Sequence, residues 1–316
     1  MPAKASLGNV PTLKTLHGTS ELETIHEPLS LALGVFDGLH VGHQEVIARA
    51  VRQARDGGGI AGMLTFEPHP ISVLAPDRAP RRLLASLRHK EALLTELGVD
   101  LLVVIPFSRE FAEVEAEDFL ADLARAPQLR SLAVGEDWNF GKGRRGNVAM
   151  MRDYCAQRGI VLDAVPPVMM DGERVSSTRI RQALRDGNLK AAEDMLGRPY
   201  SIFGQVVQGK QLGRQIGFPT ANIRPENEQL PADGVWKVKM RWESEWILGI
   251  ANLGRRPTVE EGGQRFLEVH LPKWSGDLYG KNVEVRFLRR IRREQRFSGV
   301  DELKAQIERD IKAAGL

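Results

Sequence analysis

From Leu31 to Val165 short apolar runs alternate with stretches whose apolar residues recur at helical spacing. The runs are Leu31–Phe36, Ile60–Phe66, Leu101–Phe107, Leu132–Gly135 and Ile160–Val165. Between them the spacing predicts helices over His43–Arg55, Leu87–Leu97, Ala116–Arg125 and Val148–Arg158. Strands that are apolar throughout belong to a parallel sheet covered on both faces. Such sheets bind ligands beyond the carboxyl ends of their strands. Chemistry is therefore sought directly after each run.

After residue 200 the rhythm changes. Ile202–Val207, Val235–Trp242, Trp246–Asn252, Phe266–Leu271 and Val283–Leu288 are separated by Gly, Pro, Asn and Asp turns. This pattern predicts an antiparallel barrel or sandwich. A closing helix carries Val300, Leu303, Ile307 and Ile311 on one stripe. Gly187–Pro199 holds a short helical segment and a Gly-Arg-Pro break, and is the expected boundary. The expected partition is an N-terminal extension over 1–29, an α/β domain over 30–186, a linker over 187–199 and a β domain over 200–316.

Composition narrows the class. At 316 residues, 42% hydrophobic and 27% charged, the chain reads as a globular protein of two domains. No apolar run approaches the roughly 20 residues of a membrane helix, and the N-terminus shows no secretion signal. The single cysteine, Cys155, excludes an internal disulfide and a cysteine-rich zinc site. A cytoplasmic protein is the expectation. Charge is uneven: residues 1–200 hold 24 Lys and Arg against 26 Asp and Glu, whereas 201–316 hold 20 against 15. The excess gathers at Arg286, Arg289, Arg290, Arg292, Arg293 and Arg296. A solvated strand and a polyanion site both fit it. Nucleic-acid binding would call for interleaved aromatics or a known module, and neither is clear.

The first chemical constellation is Leu31-Ala-Leu-Gly-Val-Phe-Asp-Gly-Leu-His-Val-Gly-His43, a strand running through a glycine-rich turn into a helix. Gly34, Gly38 and Gly42 allow close backbone approach. His40 and His43, three apart, project from one face of the helix start. Free backbone N–H groups there bind anions, so two imidazoles complete a cradle for a phosphoryl group. A third ligand for zinc is lacking nearby. Thr65-Phe-Glu-Pro-His-Pro70 and Gly135–Asn147 follow later strands at the same expected edge. Arg174-Val-Ser-Ser-Thr-Arg-Ile-Arg181 opens another helix; Ser176 or Ser177 can cap it, but three arginines around the hydroxyls suit a triphosphate.

In the second half, Gly209, Gly213 and Gly217 precede Pro-Thr-Ala-Asn222. The glycines free a loop to wrap phosphates, and Thr220 and Asn222 offer neutral oxygens to a hard cation such as Mg²⁺. The loop is not of Walker type. Pro231–Trp236, Gly249–Thr258, Leu267-Glu-Val-His-Leu271, Asp277–Gly280 and Arg292–Phe297 follow.

The segments of the first half resemble the nucleotidylyltransferase superfamily, and more closely the N-terminal module of bacterial FAD synthetases. They match Gly-x-Phe-Asp-Gly-x-His-x-Gly-His, Thr-Phe-x-Pro-His-Pro, Gly-x-Asp-Phe-x-Phe-Gly and Ser-Ser-Thr-x-Ile-Arg. Val35, Trp138 and Asn139 depart from that pattern. The second half resembles riboflavin kinase across 200–316, with Pro272-Lys273-Trp274 as its departure. Residues 30–316 are thus similar to the bifunctional riboflavin kinase/FMN adenylyltransferases. The resemblance implies a Rossmann-like nucleotidylyltransferase domain followed by an antiparallel β-barrel kinase domain with a terminal helix. It implies that riboflavin is phosphorylated by ATP to FMN, and FMN is then adenylylated to FAD with release of pyrophosphate. Glu268 would be the general base of the first reaction, and His40 and His43 would hold the reacting phosphates of the second. Gly34, Phe36, Asp37, Asp137, Arg174, Ser177, Thr178 and Arg181 would bind nucleotide or phosphate. Glu67, Pro68, His69, Asn252, Arg292 and Glu294 would shape flavin sites. Mg²⁺ is the implied cofactor and FMN and FAD the products. Riboflavin, FMN and ATP are the implied partners, without nucleic acid or membrane, and oligomerisation stays open. Two alternatives remain at this point: one module active beside a binding or scaffold module, and a nucleic-acid-binding protein using the basic tail.

Overall fold

Residues 13–77, 79, 83–209, 212–226, 229–255 and 265–316 are described by the structure, a computed structural model. Residues 1–12, Lys210, Gln211 and the 256–258 part of the Gly249–Thr258 segment lie outside the described residues. Two compact units divide the chain, 1–81 with 90–175 and 82–89 with 176–316.

The elements of the first unit are, in chain order, β1 (Lys14–His17), β2 (Leu29–Leu33), α1 (Val41–Asp56), β3 (Ile60–Glu67), α2 (Pro70–Leu74), α3 (Leu87–Glu96, whose first residues group with the second unit), β4 (Leu101–Pro106), α4 (Ala116–Leu123), β5 (Leu129–Gly135), β6 (Asn139–Phe140), β7 (Gly146–Asn147), α5 (Val148–Ala156), β8 (Val161–Val165), β9 (Met169–Met170) and β10 (Glu173–Arg174). A six-stranded sheet runs in the order β1-β4-β3-β2-β5-β8, and every ladder in it is parallel. All five residues of β2 are buried, which is why four of them are leucine or alanine; the fifth, Ser30, is satisfied by the Ser131 hydroxyl, which donates to it at 2.7 Å. Each such leucine contributes about 1.5–3 kcal/mol on burial. Val46, Ile47, Ala50 and Ala54 form the buried stripe of α1. Sequence order reverses at β2, with β3 on one side and β5 on the other. The loops after β2 and β5 diverge there and open a crevice.

The second unit comprises α6 (Ser177–Asp186), α7 (Leu189–Leu196), β11 (Ser201–Val207), α8 (Leu212–Gln215), β12 (Thr220–Pro225), β13 (Gly234–Arg241), β14 (Ile247–Arg255), β15 (Arg265–His270), β16 (Asn282–Arg292) and α9 (Val300–Ala314). A closed barrel forms in the order β11-β12-β15-β14-β13-β16, through antiparallel ladders. Trp236, Val238 and Met240 of β13 and Leu267 and Val269 of β15 alternate into its buried core, and Trp236 meets Phe287 edge-on at 5.9 Å.

Helix α9 lays Ile307, Ile311 and Ala314 against Val235 and Ile250. Val300, expected on this stripe, is instead exposed, because the packed apolar cluster under α9 begins further along the helix. The stripe also carries a buried charge. Asp310 accepts from Arg292 Nε at 2.9 Å and Nη2 at 2.8 Å. Removing one partner of a buried pair strands the other. Asp310→Asn is expected to destabilise the protein by about 3 kcal/mol, measured by urea unfolding.

Candidate functional site

The turn between β2 and α1 is built from unusual backbone. Phe36 and Leu39 take φ values of 51° and 46°, although their side chains are buried. Such angles are costly for bulky residues, and the buried side chains hold them in place. Gly38, at φ 82°, takes the same left-handed region without steric cost. The turn delivers His40 to the N-cap of α1, where its Nδ1 accepts the His43 amide at 3.3 Å. In a neutral ring this leaves the His40 proton on Nε2. The two imidazoles stack, with centroids 3.5 Å apart and planes inclined by 18°.

His43 keeps part of its surface exposed, but its Nδ1 is buried without a partner among the described residues. Burial first, then His40, Lys90 and Arg174, hold its pKa well below the ordinary 6.5. The ring is therefore neutral near pH 7, a hydrogen-bonding group rather than a fixed cation.

This pair opens into a cavity of about 730 Å³, within the usual range for small-molecule sites. Gly34, Phe36, His40 and His43 come from the β2 side, and Asp137 and Trp138 follow β5. The cavity thus occupies the crevice between those strands. Phe66, Phe107, Phe111 and Phe119 line its apolar part, and Phe107 and Phe111 meet edge-on at 5.7 Å. Arg174 donates to Asp137 through both terminal nitrogens. That hydrogen-bonded pairing lowers the Asp137 pKa and raises that of Arg174.

His69 lines the cavity and accepts the Ile71 amide at 3.2 Å. Glu67 and Pro68 stand just before it, and the charges of Glu67 and Asp37 act on Lys90. Ser177, Thr178 and Arg181 belong to α6, in the second unit. Ser176, not Ser177, caps that helix, accepting the Arg179 amide at 3.3 Å.

In the second unit the barrel register assembles three polar residues from distant parts of the chain. Asn222 of β12 pairs with Glu268 of β15, and Glu268 pairs with Asn252 of β14. Directly opposed residues point to the same face of a sheet, so the carboxylate lies between two carboxamides. Thr220 lies two residues before Asn222 and faces the same way. The glycine loop closes over this row: a Cβ on Gly209 would stand 2.3 Å from the Asn222 amide nitrogen, and one on Gly213 would stand 3.3 Å from Thr220 Oγ1. Gly217 has φ 90°. A Cβ on Gly254 would strike the Glu294 carboxylate, which places Glu294 against Gly254, two residues along β14 from Asn252. The Arg292 guanidinium is held by Asp310.

Two residues of these sites escaped the sequence reading. Lys90 lies within the apolar stripe of α3, between Leu87 and Leu94, and is buried. A charged residue on an apolar helix face was the available signal. His270, two residues after Glu268, is also buried, and its ring Nδ1 lies 2.7 Å from the Pro219 carbonyl oxygen. The oxygen can only accept, so Nδ1 donates and ties β15 to the end of the glycine loop.

A phosphate-ready helix start at a parallel-sheet crevice, with a carboxylate row under a glycine loop on a separate barrel, defines a two-module phosphate-transferring enzyme. The FAD synthetase family profile matches residues 22–179, and the riboflavin kinase profile matches residues 196–315. The bifunctional riboflavin kinase/FMN adenylyltransferase of Haemophilus influenzae is 40% identical over 305 residues, covering 96% of this chain and 98% of that protein. The Escherichia coli protein of the same name is 40% identical, covering 94% and 96%. That of Bacillus subtilis is 35% identical, with the same coverage. The chain belongs to the family of bifunctional riboflavin kinase/FMN adenylyltransferases. A solved Streptococcus pneumoniae structure titled a macrolide-efflux protein is also similar, with a TM-score of 0.82 and 32% identity over 96% of this chain and 99% of that one. Among the described residues here, no helix is long and apolar enough to cross a membrane.

Proposed function

We propose that the barrel unit phosphorylates riboflavin with ATP and that the crevice of the first unit adenylylates the resulting FMN to FAD. The observation that carries this reading is the pair of polar constellations: Asn222, Glu268 and Asn252 in one row, and His40 and His43 at one helix start.

In the kinase reaction the ribityl 5′-hydroxyl attacks the γ-phosphorus of ATP. Glu268 accepts the hydroxyl proton as the O–P bond forms, and ADP leaves. When bound, Mg²⁺ neutralises charge on the phosphates. Thr220 and Asn222 would hold it: both are neutral oxygen donors suited to a hard cation, and the cradle beneath Gly209 is one a side chain would fill. Gly213 and Gly217 keep the loop's amides close to the phosphates. Asn252 and Glu294 border the flavin, while Arg292 shapes the same edge through its hold on α9.

In the adenylyl transfer an oxygen of the FMN phosphate attacks the α-phosphorus of ATP and pyrophosphate leaves. A phosphate dianion needs no strong base, so catalysis is alignment and charge stabilisation. The imidazoles of His40 and His43, the latter kept neutral by burial, donate to phosphate oxygens beside the amides that open α1. Gly34, Phe36 and Asp37 form the turn that holds nucleotide, with Asp137 on the opposite wall. Within the crevice, Arg174 is assigned to the departing pyrophosphate and the side of Glu67, Pro68 and His69 to the flavin; Ser177, Thr178 and Arg181 keep the phosphate-binding role that their motif implies.

The full chain incubated with riboflavin, ATP and Mg²⁺ is expected to accumulate FMN first and FAD later, separated by chromatography. FMN alone would leave only the kinase reading. No conversion of riboflavin or of added FMN would overturn both.

A further inference from the structure

Lys90 sits on α3 with 4% of its surface exposed, and its Nζ donates to the Val35 carbonyl oxygen at 3.1 Å. Thr65 Oγ1 donates to the same oxygen at 2.9 Å. Both lone pairs of that carbonyl are thus engaged, at the residue before the left-handed Phe36. A buried ammonium is costly unless other charges balance it. Here burial pulls the ammonium down from its ordinary pKa, while Asp37 and Glu67 push it back up. Asp37 is itself buried in the β2–α1 turn, and Glu67 ends β3. Two carboxylates this close to a phosphate cradle would repel incoming ATP and FMN. They would also draw a proton onto His43.

We propose that Lys90 is a positioning residue for adenylyl transfer: it pins the β2–α1 turn through Val35 and balances Asp37 and Glu67, so that His40 and His43 face the phosphates correctly aimed. This rests on the first unit's cavity being the adenylyl-transfer site. A hydroxyl or an amide could satisfy Val35, as Thr65 already does in part; only a cation also balances the carboxylates. The charged and titratable groups bearing on His43 are His40 at the helix start, Lys90 on α3 and Arg174 on β10, with Asp37 and Glu67 acting through Lys90.

The test compares Lys90→Met and Thr65→Val with the wild-type full chain, measuring FAD formation from added FMN and ATP across pH. Riboflavin phosphorylation by the same preparation and thermal unfolding serve as controls for folding. Lys90→Met is expected to lower kcat by about 10- to 100-fold, the scale of a misaligned catalytic group. It also moves the acid limb of kcat/KM to higher pH, because one cation opposing protonation of His43 is gone. Thr65→Val removes a donor to Val35 but no charge, so it slows the reaction without moving the limb. Wild-type kcat and an unmoved limb in Lys90→Met would overturn the proposal. So would equal losses in both variants with neither limb displaced, which would mark a purely structural role. If Lys90→Met does not fold, Lys90→Arg replaces it: retention of the wild-type acid limb supports the charge assignment and displacement overturns it. Failure of the wild type itself to make FAD from FMN would instead overturn the assignment of the cavity.

Discussion

Glu268→Gln is expected to lower riboflavin phosphorylation by about 10²- to 10⁴-fold, the range for losing a general base, while FAD formation from added FMN continues at the wild-type rate. Glutamine keeps the size and shape of the side chain, and Glu268 sits on a strand whose neighbours in the ladder are polar on this face, Asn222 and Asn252. The barrel therefore keeps its packing, and the loss falls on proton acceptance from the ribityl hydroxyl. The assay is chromatographic separation of the flavins after incubation with riboflavin or with FMN. A folded variant that loses both conversions would refute separate sites.

His43→Ala is expected to do the reverse. FMN continues to form from riboflavin and accumulates, because adenylyl transfer falls by about 10²- to 10³-fold, as when one preorganised donor to a developing charge is removed. The same variant has a stability signature. Burial lowers the folded-state pKa of His43 below 6.5, so on acidification the unfolded chain binds this proton first. The stability due to the neutral ring is complete above the unfolded pKa and is lost as pH falls from there through the folded value. His43→Ala therefore loses less stability than the wild type over that acid interval. Urea midpoints measured at neutral and at acid pH read the difference.

The limits of the sequence reading have physical causes. The runs of β2, β3, β4 and β5 were legible because strands covered on both faces are largely apolar, and β8, although at the sheet edge with Val161 exposed, still carries a mostly apolar run. Thr220–Pro225 was not recognised as a strand. Thr220 and Asn222 lie on the face shared with Glu268, and prolines stand at 219 and 225, so the segment reads as the tail of a glycine loop. Lys14–His17 joins the sheet edge beside β4, although four residues of mixed polarity carry no periodic signal. Val300 shared the spacing of the α9 stripe, but spacing does not say where the packed surface under a helix begins. Arg292 stood in a motif assigned to flavin, and only the packing of α9 revealed that Asp310 occupies its guanidinium.

By itself the sequence determined the two fold classes, the motifs and the family they resemble, because periodicity and turn residues are local properties of the chain. Tertiary structure decided what no local pattern records. The barrel's register brought Glu268 between Asn222 and Asn252, residues 46 and 16 positions away along the chain. The reversal of strand order at β2 opened the crevice that faces His40 and His43 toward Asp137 and Arg174. Burial made His43 neutral and set Lys90 against Asp37 and Glu67. Charge state and register depend on what surrounds a residue in space, and only the folded chain specifies those surroundings.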